Sequence, residues 1–238
     1  MPVVKLPVGY ASGGWIELED RRRVFYACQS MILGAYGDPV GNVNFYDGCL
    51  VLQGLGLRGP TDREYNIMMQ RDLGIADQMR SLSVRTSFLR NVRKARGRYS
   101  AKHIASPEVA KTPDGCIVKG DEKAITLPPD GWFTIRELLE SKSGLPEKTY
   151  SDKSKPDEEC AYFSIDESPE MPVVRGFWSI YMDGGFDASA LWGPKVSSYE
   201  VGIRAVSDTK PNAIALAKAF ARLEKISRRH GVDALSVG

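Results

Sequence analysis

Trp15-Ile-Glu-Leu-Glu19, the run Val24 to Tyr36, and Cys49-Leu-Val-Leu-Gln-Gly-Leu-Gly-Leu57 are the most apolar parts of the chain, and the reading of Gly14 to Gly59 decides the fold. In the first, Ile16 and Leu18 alternate with Glu17 and Glu19, which predicts a half-exposed strand. Asp20-Arg-Arg-Arg23 is a charged turn. Val24, Phe25, Cys28, Met31, Ile32 and Ala35 then follow helical spacing, and Gly37-Asp-Pro39 stops the predicted helix. Cys49 to Leu57 predicts a buried strand running into the loop Gly54-x-Gly56-x-x-Gly59. The letters of that loop match a dinucleotide fingerprint. The chemistry requires the loop to open a helix whose N-terminus faces a pyrophosphate. Here Pro60 follows at once, and the next helix has its own capping box, Thr61 with Glu64. A glycine-lined turn fits these residues better, with a ligand-holding loop as the alternative.

Working outward, the 238 residues are 42% hydrophobic and 26% charged, with 32 Lys and Arg against 30 Asp and Glu. That balance suits a folded chain that needs neither disulfide nor metal. Cys28, Cys49, Cys116 and Cys160 are far apart and read as small buried hydrophobes. No run approaches a membrane span, and Met1-Pro-Val-Val-Lys5 does not resemble a secretory leader. The expectation is an intracellular protein that is not secreted. Residues 1–13, with Pro2, Pro7 and Gly13-Gly14, read as an extended arm preceding a single domain over 14–238.

The small net charge conceals an asymmetry. Arg80, Arg85, Arg90, Arg93, Lys94, Arg96, Arg98 and Lys102 fall in a stretch, Gln78 to Pro107, with no acidic residue. Leu82, Val84, Phe88, Leu89 and Val92 interleave with them, so one face is packed and the other positive. Such a face attracts phosphate, of nucleic acid or anionic lipid. These eight cations are the candidate phosphate, lipid or nucleic-acid contacts, with Tyr99 as a candidate stacking platform. A solvated face balanced by nearby acids is the alternative reading. Leu145 to Pro172 is the acidic counterpart, and residues 146–159 read as an exposed, mobile loop.

Elsewhere, a helix from Asp62 turns Tyr65, Met68, Met69 and Leu73 inward. Cys116–Val118 and Ala124–Leu127 suggest a hairpin. Thr134 and Glu137 form a second capping box. Val173–Met182 and Val196–Val206 read as strands. A last helix is capped by Asp208 or Thr209, with Leu216, Phe220 and Leu223 on one face. His103 reads as part of the cationic surface and His230 as a partner of the last helix end. The chain has no H-E-x-x-H, Walker, G-x-S-x-G or zinc-ligand spacing, so the reading is a non-enzyme without cofactor, metal or catalytic residue. The predicted architecture is one α+β domain: an antiparallel sheet from the Trp15, Cys49, Cys116, Val173 and Val196 strands, with helices on one face.

The order of features from Trp15 to Pro60, with Gly176-Phe-Trp-Ser-Ile-Tyr-Met-Asp183, the Ala188-x-x-Leu-Trp192 turn and a closing helix, resembles the matrix proteins of rhabdoviruses. The chain departs from that family in carrying no lysine-rich N-terminal tail and no P-P-x-Y or P-[TS]-A-P motif. The resemblance implies a viral structural protein in the host cytoplasm or nucleus and inside the virion. Such a protein self-associates, coats the viral nucleocapsid and meets the anionic inner membrane leaflet by charge. An RNA-binding protein, either a nucleoprotein or a silencing suppressor, is the second expectation, and a nucleotide-binding enzyme the third.

Overall fold

The computed structural model describes residues 14–21, 23–28, 44–70, 83–152, 160–168, 170–180, 185–187, 190, 193–195, 201–202 and 204–230. The predicted arm, Arg80, the second half of the helix expected over Val24 to Tyr36, and most of the strand expected from Val196 lie outside them. In chain order the elements begin with β1 (Trp15–Asp20), β2 (Arg23–Cys28), α1 (Phe45–Gly54), α2 (Asp62–Gln70), β3 (Ser83–Ala95) and β4 (Arg98–Ile104). There follow β5 (Glu108–Thr112), β6 (Gly115–Lys119), β7 (Glu122–Leu127), β8 (Gly131–Thr134), α3 (Ile135–Glu140) and β9 (Cys160–Phe163). β10 (Val173–Ile180), β11 (Gly185–Asp187), β12 (Val201–Gly202), β13 (Val206–Ser207) and α4 (Ala213–His230) complete an α+β fold. The chain gathers into two compact units. One takes in Met1–Pro60, Glu108–Val118 and Ser197–Gly238, the other Thr61–Pro107 and Lys119–Val196.

In the first unit β1 pairs antiparallel with β2, from Trp15↔Cys28 to Asp20↔Arg23, and β13 pairs with the other edge of β2. The helix expected from Val24 is therefore a strand as far as Cys28. Phe25 and Ala27, two apart, are both fully buried, which a strand flanked on both edges provides and a helix does not.

The opposite correction applies to Cys49–Leu57, which is not a strand. It continues α1, capped by Asn44, whose side-chain oxygen accepts from Asp47 N at 3.0 Å. Phe45, Gly48, Val51 and Leu52 form its buried face. At its end Leu57 N donates to Leu52 O (2.8 Å) and Gly56 N to Gln53 O (2.9 Å), with Gly56 at φ 71°. This is a Schellman closure, and Leu52 and Leu57 are both buried beside it. The glycine fingerprint thus closes a helix instead of opening one, and the N–H groups a pyrophosphate would need are not presented there. Gln53 Nε2 donates to Val109 O at 3.0 Å, and Gln53 Oε1 accepts from Val109 N at 2.8 Å. One side-chain amide so stands in for a strand beside β5, which among the described residues otherwise pairs with β6 alone.

Asp208 does not cap the last helix. Asn212 does, accepting from Ala215 N at 3.0 Å. Asp208 instead binds Arg58 Nη2 at 2.7 Å and Arg23 Nη2 at 2.5 Å, next to the backbone pair in which Val206 N donates to Arg58 O. The Arg58 hydrogen bonds, and Arg23 after them, hold the Asp208 carboxyl down at about 2, against an ordinary 3.8. A depressed carboxyl contributes stability above its unfolded pKa and loses it as pH falls through the folded one. The stability difference between the parent and Asp208→Asn is therefore expected to be present at pH 6 and to vanish between about pH 4 and pH 2. Denaturant midpoints measure it, and a difference that does not change with pH would refute the pairing.

In the second unit the sheet runs β7-β4-β3-β10-β11-β9-β8. Its pairs are antiparallel except β9 with β11, which run parallel. Phe88, Leu89, Val92, Ile104, Leu127, Phe133, Phe163 and Val174 are buried in its core. The hairpin expected between Cys116–Val118 and Ala124–Leu127 does not form: β6 pairs with β5, and β7 with β4. Both predicted capping boxes are present, Thr61 with Glu64 on α2 and Thr134 with Glu137 on α3.

The C-terminal carbonyls of α3 are satisfied from α2. Arg63 Nη1 donates to Leu139 O (2.7 Å) and Ser141 O (3.1 Å), Asn66 Nδ2 to Leu138 O (2.8 Å), and Gln70 Nε2 to Leu139 O (3.1 Å). These three side chains sit on one face of α2, three and four residues apart. The acidic segment begins anchored. Pro146 is buried, and Tyr150 exchanges two backbone hydrogen bonds with Trp132. Glu137 accepts from Lys148 Nζ at 2.6 Å and from the Tyr150 hydroxyl at 2.9 Å. Burial acts to raise Glu137, but these hydrogen bonds and the one from Thr134 N outweigh it and lower its pKa. Residues 153–159 of the expected loop lie outside the described ones.

Candidate anion-binding face

The cationic stretch folds as the β3–β4 hairpin. Its register runs Phe88↔Ile104, Leu89↔His103, Arg90↔Lys102, then Arg93↔Ser100, Lys94↔Tyr99 and Ala95↔Arg98. Three residues of β3 thus span two of β4, a bulge placed at Asn91, whose φ is 52°. The extra residue has a consequence for charge. Residues three apart on a regular strand face opposite sides, yet here Arg90 and Arg93 both pair with the outward residues of β4. Val92, between them, is fully buried.

At the tip, Arg96 (φ 52°) and Gly97 (φ 73°) both take positive φ, the pattern of a two-residue type I′ turn. Glycine adopts this freely, but arginine is strained there. Arg96→Asn is expected to raise stability by roughly 0.5–1 kcal/mol. The same variant is expected to weaken binding to anionic vesicles. Chemical denaturation and vesicle flotation read the two effects, and a variant that is no more stable removes the evidence of strain.

The candidate cations separate into two groups. Arg90 lies 3.8 Å and Lys102 3.6 Å from Glu122, and Lys94 lies 3.6 Å from Asp130. Arg90 also lies over the Phe88 ring and Lys94 over the Tyr99 ring. These three have carboxylates nearby, in part-exposed pairs that hold weakly. Arg93, Arg96 and Arg98 are exposed and have no carboxylate partner among the described residues. Arg85 lies on β3, with its side chain outside the description.

Tyr99 is not a stacking platform. It is 3% exposed, and its hydroxyl donates to Asp130 at 2.8 Å. Burial first, then Asp130, raises the pKa of its phenol. The strand's own alternation decides this: Arg98, Ser100 and Lys102 face outward, so Tyr99, Ala101 and His103 face inward. His103 therefore leaves the cationic surface as well. It is 7% exposed, with Nε2 3.1 Å from Asp62 Oδ2, while Thr86 Oγ1 donates to Asp62 Oδ1 at 2.5 Å. Two-residue periodicity in Arg98–Ile104 was the signal that separates both from their cationic neighbours.

Part of the acidic segment reaches the hairpin: Glu167 accepts from Lys94 N at 3.1 Å, and Ser168 exchanges two backbone hydrogen bonds with Val92. Among the described residues this carboxylate meets a backbone N–H and no arginine. The four cysteines are free thiols, and burial pushes Cys49 up to about 12, which keeps it protonated. On this hairpin Arg90, Lys94 and Lys102 thus have a carboxylate within 4 Å, whereas Arg93, Arg96 and Arg98 have none among the described residues. Comparison with protein-family models, curated proteins and solved structures finds no match.

Proposed function

We propose that this is a matrix-type structural protein that associates with an anionic membrane surface through the tip of the β3–β4 hairpin. Self-association and contact with a nucleocapsid belong to the same proposal through the resemblance in its sequence. The observation that carries the membrane contact is the exposure of Arg93, Arg96 and Arg98 without a carboxylate partner among the described residues. Each cation near a negatively charged leaflet contributes roughly 1 kcal/mol, so three contribute about two orders of magnitude in affinity. The RNA-binding alternative loses its stacking residue with the burial of Tyr99.

The parent is expected to float with vesicles containing phosphatidylserine, not with phosphatidylcholine alone, and to be released as salt rises. Arg93→Ser, Arg96→Ser and Arg98→Ser combined are expected to lower that binding about a hundredfold with no lower melting temperature. Unchanged binding would refute the proposal. Retention of the parent on RNA, with none on vesicles, would favour the alternative.

A further inference from the structure

The outward face of β3, β4 and β7 carries a shallow depression of about 480 Å³ lined by Asn91, Arg93, Ser100, Lys102, Ala124 and Thr126, among others. The register explains its shape. Ser100 pairs with Thr126, and Lys102 with Ala124, so small side chains form the floor. Arg93, opposite Ser100, and Lys102 are the cationic residues of the lining, and Asn91, at the bulge, lines it on the β3 side. No carboxylate is among the lining residues. The Ser100 hydroxyl reaches Arg93 O only at 3.4 Å, a long bond that it can exchange for a better acceptor. The volume falls within the roughly 300–1,000 Å³ of small-ligand sites.

This combination of donors is specific in its chemistry. The residues lining it carry a guanidinium, an ammonium, two hydroxyls and an amide. A phosphodiester offers two free oxygens and a single charge. A phosphomonoester offers three oxygens and a charge of about −1.5 to −2, and so uses more of those donors. We infer that the depression binds a phosphomonoester, presented by the headgroup of a phosphoinositide, in addition to the diffuse attraction of the tip arginines. The inference rests on the membrane reading above and narrows it to a headgroup. Lys102 remains free to serve, because its pair with Glu122 is long and part-exposed.

The test compares vesicles of equal total charge, one set carrying phosphatidylinositol bisphosphate and the other phosphatidylserine. The parent is expected to bind the first roughly tenfold more tightly, and soluble inositol trisphosphate to compete for that excess. Ala124→Leu fills the floor from an exposed position on β7 without changing charge. Ser100→Val does the same from β4 with a residue suited to a strand. Both are expected to lose the tenfold preference and to keep the binding to phosphatidylserine. Equal binding to the two vesicle types, no competition by inositol trisphosphate, or a preference that survives in both filled variants overturns the inference. Binding to phosphatidylserine without preference leaves the membrane function standing and removes only the headgroup site. Binding of soluble inositol trisphosphate without binding to any vesicle removes the membrane function and keeps the depression as an anion site.

Discussion

Replacing Asp62 by alanine is expected to lower the unfolding free energy by about 3 kcal/mol, since two buried partners lose their acceptor at about 1–3 kcal/mol each. Asp62 is 1% exposed and stands in the first turn of α2, where the helix dipole favours a carboxylate. Its two oxygens take the Thr86 hydroxyl and His103 Nε2, on β3 and β4, so one side chain ties the helix to two strands. Removing it leaves a hydroxyl and an imidazole nitrogen buried without that partner. At roughly 2–4 °C per kcal/mol for a chain of this size, the thermal midpoint should fall about 6–12 °C. Asp62→Asn retains one acceptor oxygen and is expected to fall between the parent and the alanine variant. A loss below about 0.5 kcal/mol for alanine would mean that the buried pairings contribute nothing.

Gly144→Ala is expected to cost a similar amount for a different reason. Gly144 has φ +77°, and a Cβ built there lies 2.4 Å from both Arg63 N and Asp62 C. These are backbone atoms of the first turn of α2, which cannot retreat without moving Asp62 and Arg63 together. Positive φ in a residue with a side chain costs about 1–2 kcal/mol, and forcing atoms into filled space about 1–3 more. Gly97→Ala separates the two contributions. Gly97 has φ +73° with nothing within 4 Å, so it should lose only the first, about 1 kcal/mol. Equal losses for the two alanine variants would contradict the close approach at Gly144.

What the sequence made legible follows the range of each interaction. The capping boxes at Thr61 and Thr134 were legible because cap and partner lie three residues apart and need no other part of the chain. The alternation of Trp15 to Glu19 was legible for the same reason. Cys49–Leu57 was misread because a short apolar run satisfies both periods. The deciding residue, Asn44, lies five positions upstream of the run, and its bond to Asp47 marks the helix start. Phe25 to Cys28 was misread because its apolar residues fit helical spacing, whereas pairing with β1 along the whole strand, and with β13 on the other edge, makes it β2. The satisfaction of α3 by Arg63, Asn66 and Gln70 was not legible, since those residues lie about 70 positions from the carbonyls they reach.

The candidate face was legible as a charge pattern but not as a geometry. The eight cations read as one set, whereas Glu122 and Asp130 set Arg90, Lys102 and Lys94 apart from Arg93, Arg96 and Arg98, which have no carboxylate partner among the described residues. Glu122 and Asp130, the carboxylates that hold Arg90, Lys102 and Lys94, lie well outside the stretch, so their effect required the fold.

That division is the central claim, and one paired measurement tests it. Binding to phosphatidylserine vesicles should be titrated against salt for two variants of equal charge change. One carries serine at Arg93, Arg96 and Arg98, the other serine at Arg90, Lys94 and Lys102. The tip variant is expected to lose about two orders of magnitude in affinity and most of the salt dependence, and the inner variant at most about tenfold. Equal losses in the two variants, or a greater loss in the inner one, would contradict the account.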